Sequence, residues 1–278
     1  MDEPERIAIE KRAKKLLTDC GIKAPPTPLD PLLVAKQLEL FSFDVPENTA
    51  YPELKESIRA FIHVPDREIY ISNQIYKKKR RFASFHEIAH YELPWHKAAL
   101  YGCDEIDLSN TARKMFDIEA NAFAASCMFQ GDSFTDEALD HRFSMSSVMS
   151  LADRYGVSYE SATRRFVERH PDPCAVVVCE PQKNSAGKKD GALALKYAIR
   201  SDSFNIRFKA GSVLSSDHFI SQYCQTTHDE PIRERIVLKG AASTTLKCGA
   251  HIFYNGYRAL ILLKPRDFDG PGYSVPLL

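Results

Sequence analysis

The sequence lacks the features that mark several large classes of protein. No apolar run approaches the roughly 20 residues needed to span a bilayer, and the start MDEPERIAIEKRAKKLL is typical of a charged amphipathic helix, not of a signal peptide. The seven cysteines are scattered and never form a C-x-x-C pair, which argues against a disulfide framework and a cysteine zinc cluster. We therefore expect a cytoplasmic protein that makes no membrane contact and whose cysteines are mostly small core residues.

An excess of charge of either sign is also absent. Lysine and arginine together number 37, as do aspartate and glutamate, so there is no global attraction to a phosphate backbone. The β-rich end of the chain shows no glycine-rich phosphate loop and no nucleophile elbow. A dedicated nucleic-acid binder is usually more basic, so we expect DNA binding to be weak or absent.

What the sequence does contain is the stretch RRFASFHEIAHYELPWH, from Arg81 to His96. His86 and His90 are four residues apart and lie on one face of a helix, where both imidazoles can bind one cation. In this H-E-x-x-H arrangement the carboxylate of Glu87 is the general base toward a water activated by the metal. The stretch predicts a catalytic metal helix that Pro94 ends.

A catalytic zinc site takes three protein ligands, so one more is required. In the helix predicted over Thr111–Met128, Asp117 and Asn121 lie about 40° apart on one face, whereas Glu119 points about 200° away from Asp117. We predict Asp117 as the third ligand and Asn121 as the partner that orients a ligand histidine. Glu119 is the first alternative. His96 is the second, at a spacing typical of metzincins but without their glycine.

The pattern of elements predicts an α+β protein of three domains: residues 1–133, 134–171 and 172–278. In the first, helices at about 5–20 and from Pro31 precede a hairpin whose second strand, IYIS, leads into the metal helix. We expected IYIS to pair with an extended substrate as an added strand. A polar linker, YGCDEIDLSN, then precedes the helix that begins at Thr111.

The middle segment has the signature of a helix-turn-helix. In FSMSSVMSLADRYGVSYESATRRFVERH, Gly156 makes the turn and Ser158 caps the second helix, which carries Arg164, Arg165 and Arg169. These arginines either contact DNA or form a solvated face, and the neutral chain favours the second reading. After HPDP, short β-rich runs such as CAVVVCE, ALALKYAIR, TTLKCGAHIFY and YRALILLK predict a separate domain with an antiparallel sheet.

RRFASFHEIAHYEL followed by DIEANAFAAS resembles the ImmA/IrrE family of bacterial zinc metallopeptidases. The helix-turn-helix and the β-rich end make the chain most similar to the IrrE branch. The resemblance implies a gluzincin-like metallopeptidase domain, a helix-turn-helix domain and a C-terminal GAF-like domain of antiparallel α+β type. It also implies His86, His90 and Asp117 as ligands, Glu87 as general base and Asn121 as the family asparagine. The family usually has glutamate at the position of Asp117, whose side chain is one methylene shorter.

The activity implied is that of a zinc endopeptidase that cleaves a helix-turn-helix transcriptional repressor and so releases a stress (DNA-damage) or mobile-element response. Mn²⁺ and Fe²⁺ also suit histidine and carboxylate ligands, so both remain alternatives to Zn²⁺. The competing hypotheses are a non-proteolytic regulator with a structural metal, whose C-terminal domain senses a small molecule or a stress signal, and a zinc hydrolase of another substrate.

Overall fold

Nine helices and ten strands lie within the part of the chain that the computed structural model describes. That part comprises residues 1–22, 28–45, 60–102, 110–183, 187, 189–239, 245–267, 269 and 272–276. The chain divides into two units. Unit 1 is Met1–Phe134 with Arg154–Val157, and unit 2 is Thr135–Asp153 with Ser158–Leu278. None of the helices in the described residues combines the length and the apolar character that crossing a membrane requires.

Unit 1 contains five helices, most of which the sequence predicts. Asp2 and Glu5 form a capping box at the start of the first helix, and Asp30 caps the second at Pro31, as predicted. Their bounds are α1 Glu3–Asp19, α2 Pro31–Gln37, α3 Lys77–Glu92, α4 Pro94–Gly102 and α5 Asn110–Met128.

The helix α4 was not predicted. Leu93 has extended backbone and ends α3, as expected near Pro94. However, proline is also well tolerated at the first position of a helix, where its missing N–H has no partner to lose. Pro94 therefore both ends one helix and begins the next, and α4 takes in the first residues of the predicted linker. The linker residues 103–109 lie outside the described residues.

The sheet of unit 1 has three strands: β1 Phe41–Val45, β2 Ala60–His63 and β3 Glu68–Ser72. The order is β1-β3-β2, with β1 parallel and β2 antiparallel to β3, so the predicted hairpin is confirmed. The expectation that IYIS receives a substrate strand is wrong, because β3 is hydrogen-bonded on both sides. Among the described residues, β2 is an edge strand.

The metal helix is held in place by packing and by one arginine. Phe85, Ile88 and Ala89 of α3 are fully buried, and α3 packs against α5. At the start of α3, the guanidinium of Arg81 donates to the carbonyl of Leu29 and to those of Tyr155 and Gly156. Gly156 has φ +62, and a Cβ there would come within 2.3 Å of the Arg81 Nη1 atom. Glycine at this turn thus leaves room for the arginine.

Unit 2 combines helices with a seven-stranded sheet. Ser158 caps the second helix of the predicted helix-turn-helix pair, as expected, by accepting from the amide of Ser161. Arg165 is buried, whereas Arg164 is exposed and donates to Glu168 over 2.7 Å. The helices are α6 Ser133–Asp140, whose first two residues belong to unit 1, α7 Met145–Tyr155, which ends in unit 1, α8 Tyr159–Glu168 and α9 Phe219–Tyr223.

The strands of unit 2 are β4 Ala175–Lys183, β5 Lys189–Arg200, β6 Val213–Leu214, β7 Ile232–Lys239, β8 Thr245–Tyr254, β9 Ala259–Pro265 and β10 Tyr273–Pro276. They follow the order β10-β7-β8-β9-β4-β5-β6. The prediction of an antiparallel sheet is confirmed for every pair except β10 and β7, which are parallel. The strand β7, IRERIVLK, was not predicted, because three consecutive charged residues, Arg233 to Arg235, interrupt its apolar pattern. Its buried residues Ile236 and Leu238 belong to the core on one face of the sheet.

Candidate metal centre

The two motif histidines face each other one helical turn apart on α3. Their Nε2 atoms are 3.2 Å apart, and both side chains are largely buried. Two ligand nitrogens that each lie about 2.1 Å from one tetrahedral ion are separated by about 3.4 Å. The spacing of the two nitrogens therefore suits a shared ion.

Asp117 joins this pair from α5. Its Oδ1 atom lies 3.7 Å from Nε2 of His86, and ligand atoms of His86, His90 and Asp117 all lie within 4.8 Å of one another. Two imidazoles and a carboxylate are a donor set that suits zinc in a catalytic site. The Asp117 side chain is 64 % exposed, so this side of the group is accessible to solvent.

The far side of the His86 ring is held by Asn121. The Oδ1 atom of Asn121 accepts a hydrogen bond of 3.0 Å from Nδ1 of His86. Because that nitrogen carries the proton, Nε2 keeps the lone pair that a metal ion needs. Asp117 and Asn121, four residues apart on α5, thus contact the same histidine from one helical face.

Glu87 is buried next to the histidine pair. Burial and, to a lesser extent, the charge of Asp117 raise the pKa of its carboxyl to about 8, and a hydrogen bond from the backbone N–H of Ile62 opposes this rise. A carboxyl group with a pKa near neutrality can both accept and return a proton, which suits it to general acid–base chemistry. The contribution of Ile62 was not predicted, because the sequence carries no local signal for a contact between β2 and α3.

Burial also keeps the histidines uncharged. It lowers the pKa of His90 to about 3, assisted by His86 and His96, and it lowers the pKa of His86 against the opposing effect of Asn121 and Asp117. Neutral imidazoles are the form that binds metal ions.

The two alternative third ligands contact each other. His96 Nε2 lies 2.6 Å from Oε2 of Glu119, and His96 Nδ1 lies 3.0 Å from Nδ1 of His90. Trp95 Nε1 donates to the same Glu119 oxygen over 2.7 Å. In the part of the chain that the structure describes, neither His96 nor Glu119 belongs to the group whose ligand atoms converge.

Residues 47–167 match the family model described as the IrrE N-terminal-like domain, Peptidase M78. A search of curated proteins finds no match. Among solved structures, a Mycobacterium tuberculosis transcriptional regulator is similar, with a TM-score of 0.59 and 14% identity over 93% of this chain and 76% of that chain. At this identity the likeness concerns the fold alone. The group formed by His86, His90 and Asp117 lies inside residues 47–167, the segment that is similar to this peptidase domain.

Proposed function

We propose that this protein is a zinc-dependent endopeptidase in which His86, His90 and Asp117 hold the metal and Glu87 is the general base. The observation that carries this proposal is the convergence of the three ligand groups within 4.8 Å, next to a buried carboxyl whose pKa is raised to about 8. The peptidase family match over residues 47–167 supports it independently.

The metal ion and Glu87 have separate roles in the proposed peptide hydrolysis. A zinc ion would act as a Lewis acid, which makes water acidic enough to lose a proton near neutral pH. Glu87 accepts that proton as the water oxygen attacks the scissile carbonyl carbon, and it returns the proton to the leaving amine as the C–N bond breaks. Asn121 keeps His86 oriented throughout.

A peptide substrate has a suitable strand edge next to the site. The backbone of Ile62 on β2 is hydrogen-bonded to Glu87, so β2 lies beside the general base. An extended peptide that adds to β2 would pass beside Glu87, with its backbone held by strand hydrogen bonds. We assign to β2 the role that the sequence had suggested for β3.

The natural substrate we propose is a helix-turn-helix transcriptional repressor whose cleavage releases a stress (DNA-damage) or mobile-element response. This follows from the resemblance to the IrrE branch. That branch also implies a helix-turn-helix around α7 and α8 and a GAF-like sensor for a small molecule or stress signal after Pro173. The transcriptional regulator with a similar fold is in keeping with a role near transcription. The three domains 1–133, 134–171 and 172–278 are part of this proposal.

The experiment that tests this proposal replaces only Glu87, the proposed general base. Glu87→Gln keeps the size of the side chain but cannot accept the proton of the attacking water. We expect this variant to retain zinc, measured by metal analysis after dialysis, and to lose cleavage of candidate repressors by at least about 100-fold. Cleavage is read in co-expression with helix-turn-helix repressors of the same genome, as one discrete shortened product.

Glu137→Gln, a carboxylate exchange outside the site, is the matched control and should cleave like the wild type. Cleavage by Glu87→Gln at the wild-type rate would remove the general-base assignment. A wild-type protein that binds zinc but yields no shortened product with any candidate would contradict the proposed substrate class.

A further inference from the structure

Two buried side chains, His96 and then Glu119, continue in a line from His90 into the interior of unit 1. His90 Nδ1 lies 3.0 Å from His96 Nδ1, and His96 Nε2 lies 2.6 Å from Oε2 of Glu119. His96 has no exposed surface and Glu119 is 9% exposed. The line ends on the side of the His90 ring opposite Nε2, the atom that faces His86.

The carboxylate determines where each proton of this line sits. Oε2 of Glu119 accepts from the indole N–H of Trp95, and Nε2 of His96 is the second donor to the same oxygen. A charge on this fully buried ring is unfavourable, so with its proton on Nε2 the neutral ring has only a lone pair at Nδ1. The remaining hydrogen bond then requires the proton on Nδ1 of His90. His90 Nε2 is left as a bare acceptor.

We propose that His96 is a positioning residue, which with Glu119 holds His90 in the tautomer whose Nε2 lone pair faces the metal site. The proposal rests on the proposed metal site and explains how one of its ligands is prepared. Both ligand histidines are then held by a partner at Nδ1, because Asn121 accepts the Nδ1 proton of His86. The lone pairs of the two unprotonated Nε2 atoms, 3.2 Å apart, repel each other. A cation that binds both nitrogens removes this repulsion.

Two aromatic side chains keep the line rigid. The ring of Phe116 stacks on His96 with 4.1 Å between centroids, which prevents the imidazole from turning over. Trp95 donates to the same oxygen of Glu119 and so keeps the carboxylate in place. The fully buried His96 consequently has one orientation in which both of its nitrogens are bonded.

The first experiment reads the tautomers directly in the metal-free, full-length protein. Two-bond nitrogen–proton NMR correlations of ¹⁵N-labelled histidine distinguish a ring protonated at Nδ1 from one protonated at Nε2. We expect His90 to carry its proton on Nδ1 and His96 on Nε2. A proton on Nε2 of His90, or on Nδ1 of His96, overturns the proposal without any reference to activity.

The second experiment uses a matched pair of substitutions in the full-length chain. Asparagine and leucine have nearly the same shape, but only the Oδ1 atom of His96→Asn can replace Nδ1 as an acceptor for His90. We expect His96→Leu to weaken Zn²⁺ binding about 10- to 100-fold, as the loss of an outer partner does, and His96→Asn to restore most of it. Affinity is measured by competition with a chelator, after circular dichroism of the metal-free variants has checked the fold.

His141→Leu is the control, because it replaces an exposed histidine that lies outside the line. It should bind Zn²⁺ like the wild type. Equal affinities for the asparagine and leucine variants would refute an acceptor role for His96. A wild type that binds no divalent metal would refute the metal site as well, whereas failure to cleave a repressor would bear only on the proposed substrate.

Discussion

At the scale of the residue, the three proposed ligands differ in how firmly the protein holds them. His86 and His90 are largely buried on α3, and each has a partner at its Nδ1 atom, Asn121 or His96. Asp117 is mostly exposed and lies 3.7 Å from His86 Nε2. It also has a shorter side chain than the glutamate that the family resemblance implies. Among the three proposed ligands, Asp117 is the one with a charged side chain. Metal binding should therefore depend strongly on its carboxylate.

Removal of that charge should release the metal. In Asp117→Asn an uncharged amide oxygen replaces the carboxylate, so we expect Zn²⁺ affinity to fall by more than the roughly 10- to 100-fold that loss of an outer partner costs. Metal content after dialysis and competition with a chelator measure this. Asp140→Asn, an exposed carboxylate outside the site, serves as control. A protein that stays replete with metal when Asp117 is replaced would contradict its role as third ligand.

At the scale of the element, α8 is joined to the sheet of unit 2 by one carboxylate. Glu160 accepts hydrogen bonds from the hydroxyl of Tyr197 on β5 and from the guanidinium of Arg258, just before β9. The ring of Tyr159 meets that of Phe253 edge-on, with 5.6 Å between centroids. Polar and aromatic contacts together thus attach α8 to the sheet of unit 2.

The ionisation of Glu160 makes the stability of unit 2 depend on pH. Burial raises the pKa of Glu160, but the hydrogen bonds from Arg258 and Tyr197 lower it more, so the folded pKa lies below the usual value. A lowered folded pKa contributes stability that is present above the unfolded pKa of about 4.3 and is lost as the pH falls through the folded pKa. We expect Glu160→Gln to be less stable than the wild type at pH 7 and the difference to shrink as the pH falls below the unfolded pKa of about 4.3.

Urea unfolding of both proteins across this pH range, followed by circular dichroism, measures the difference in free energy of unfolding. Glu180→Gln, which removes a surface ion pair with Lys196, is a control expected to show a much smaller change. A difference between Glu160→Gln and the wild type that stays constant from pH 7 to pH 3 would contradict the linkage.

At the scale of the whole molecule, the positive and negative charges balance, and two adjacent arginines of α8 are not free to bind a phosphate backbone. The formal net charge is zero. Of the two adjacent arginines on α8, Arg165 is buried and Arg164 is paired with Glu168. Neither provides the cluster of free cations that releases counterions from a phosphate backbone.

We therefore expect only weak binding of duplex DNA. Fluorescence anisotropy with labelled duplexes should give a Kd no tighter than about 10⁻⁶ M at physiological salt, without sequence preference and with affinity that falls steeply as salt rises. Arg164→Ala should change this affinity little. A nanomolar, sequence-specific complex that resists salt would show that the segment reads DNA, and Arg164 would then be a recognition residue.

Much of the local structure follows from the sequence because its determinants are close together in the chain. The caps at Asp30 and Ser158 satisfy amides two or three residues away. The stacking of His86 over His90 follows from the helical repeat alone. Unpredicted elements are those whose signal is ambiguous locally: α4, because Pro94 can end or begin a helix, and β7, because three consecutive charged residues interrupt its apolar pattern.

Helical periodicity alone predicts that His86, Glu87 and His90 share one helix and that Asp117 and Asn121 share one face of another. Which carboxylate approaches the two motif histidines depends on how these helices pack in three dimensions. The packing of α5 on α3 brings Asp117 to Nε2 of His86, whereas it turns Glu119 toward His96. Residue spacing specifies directions around one helix axis, but the contact between two helices depends on side chains buried far apart in the chain.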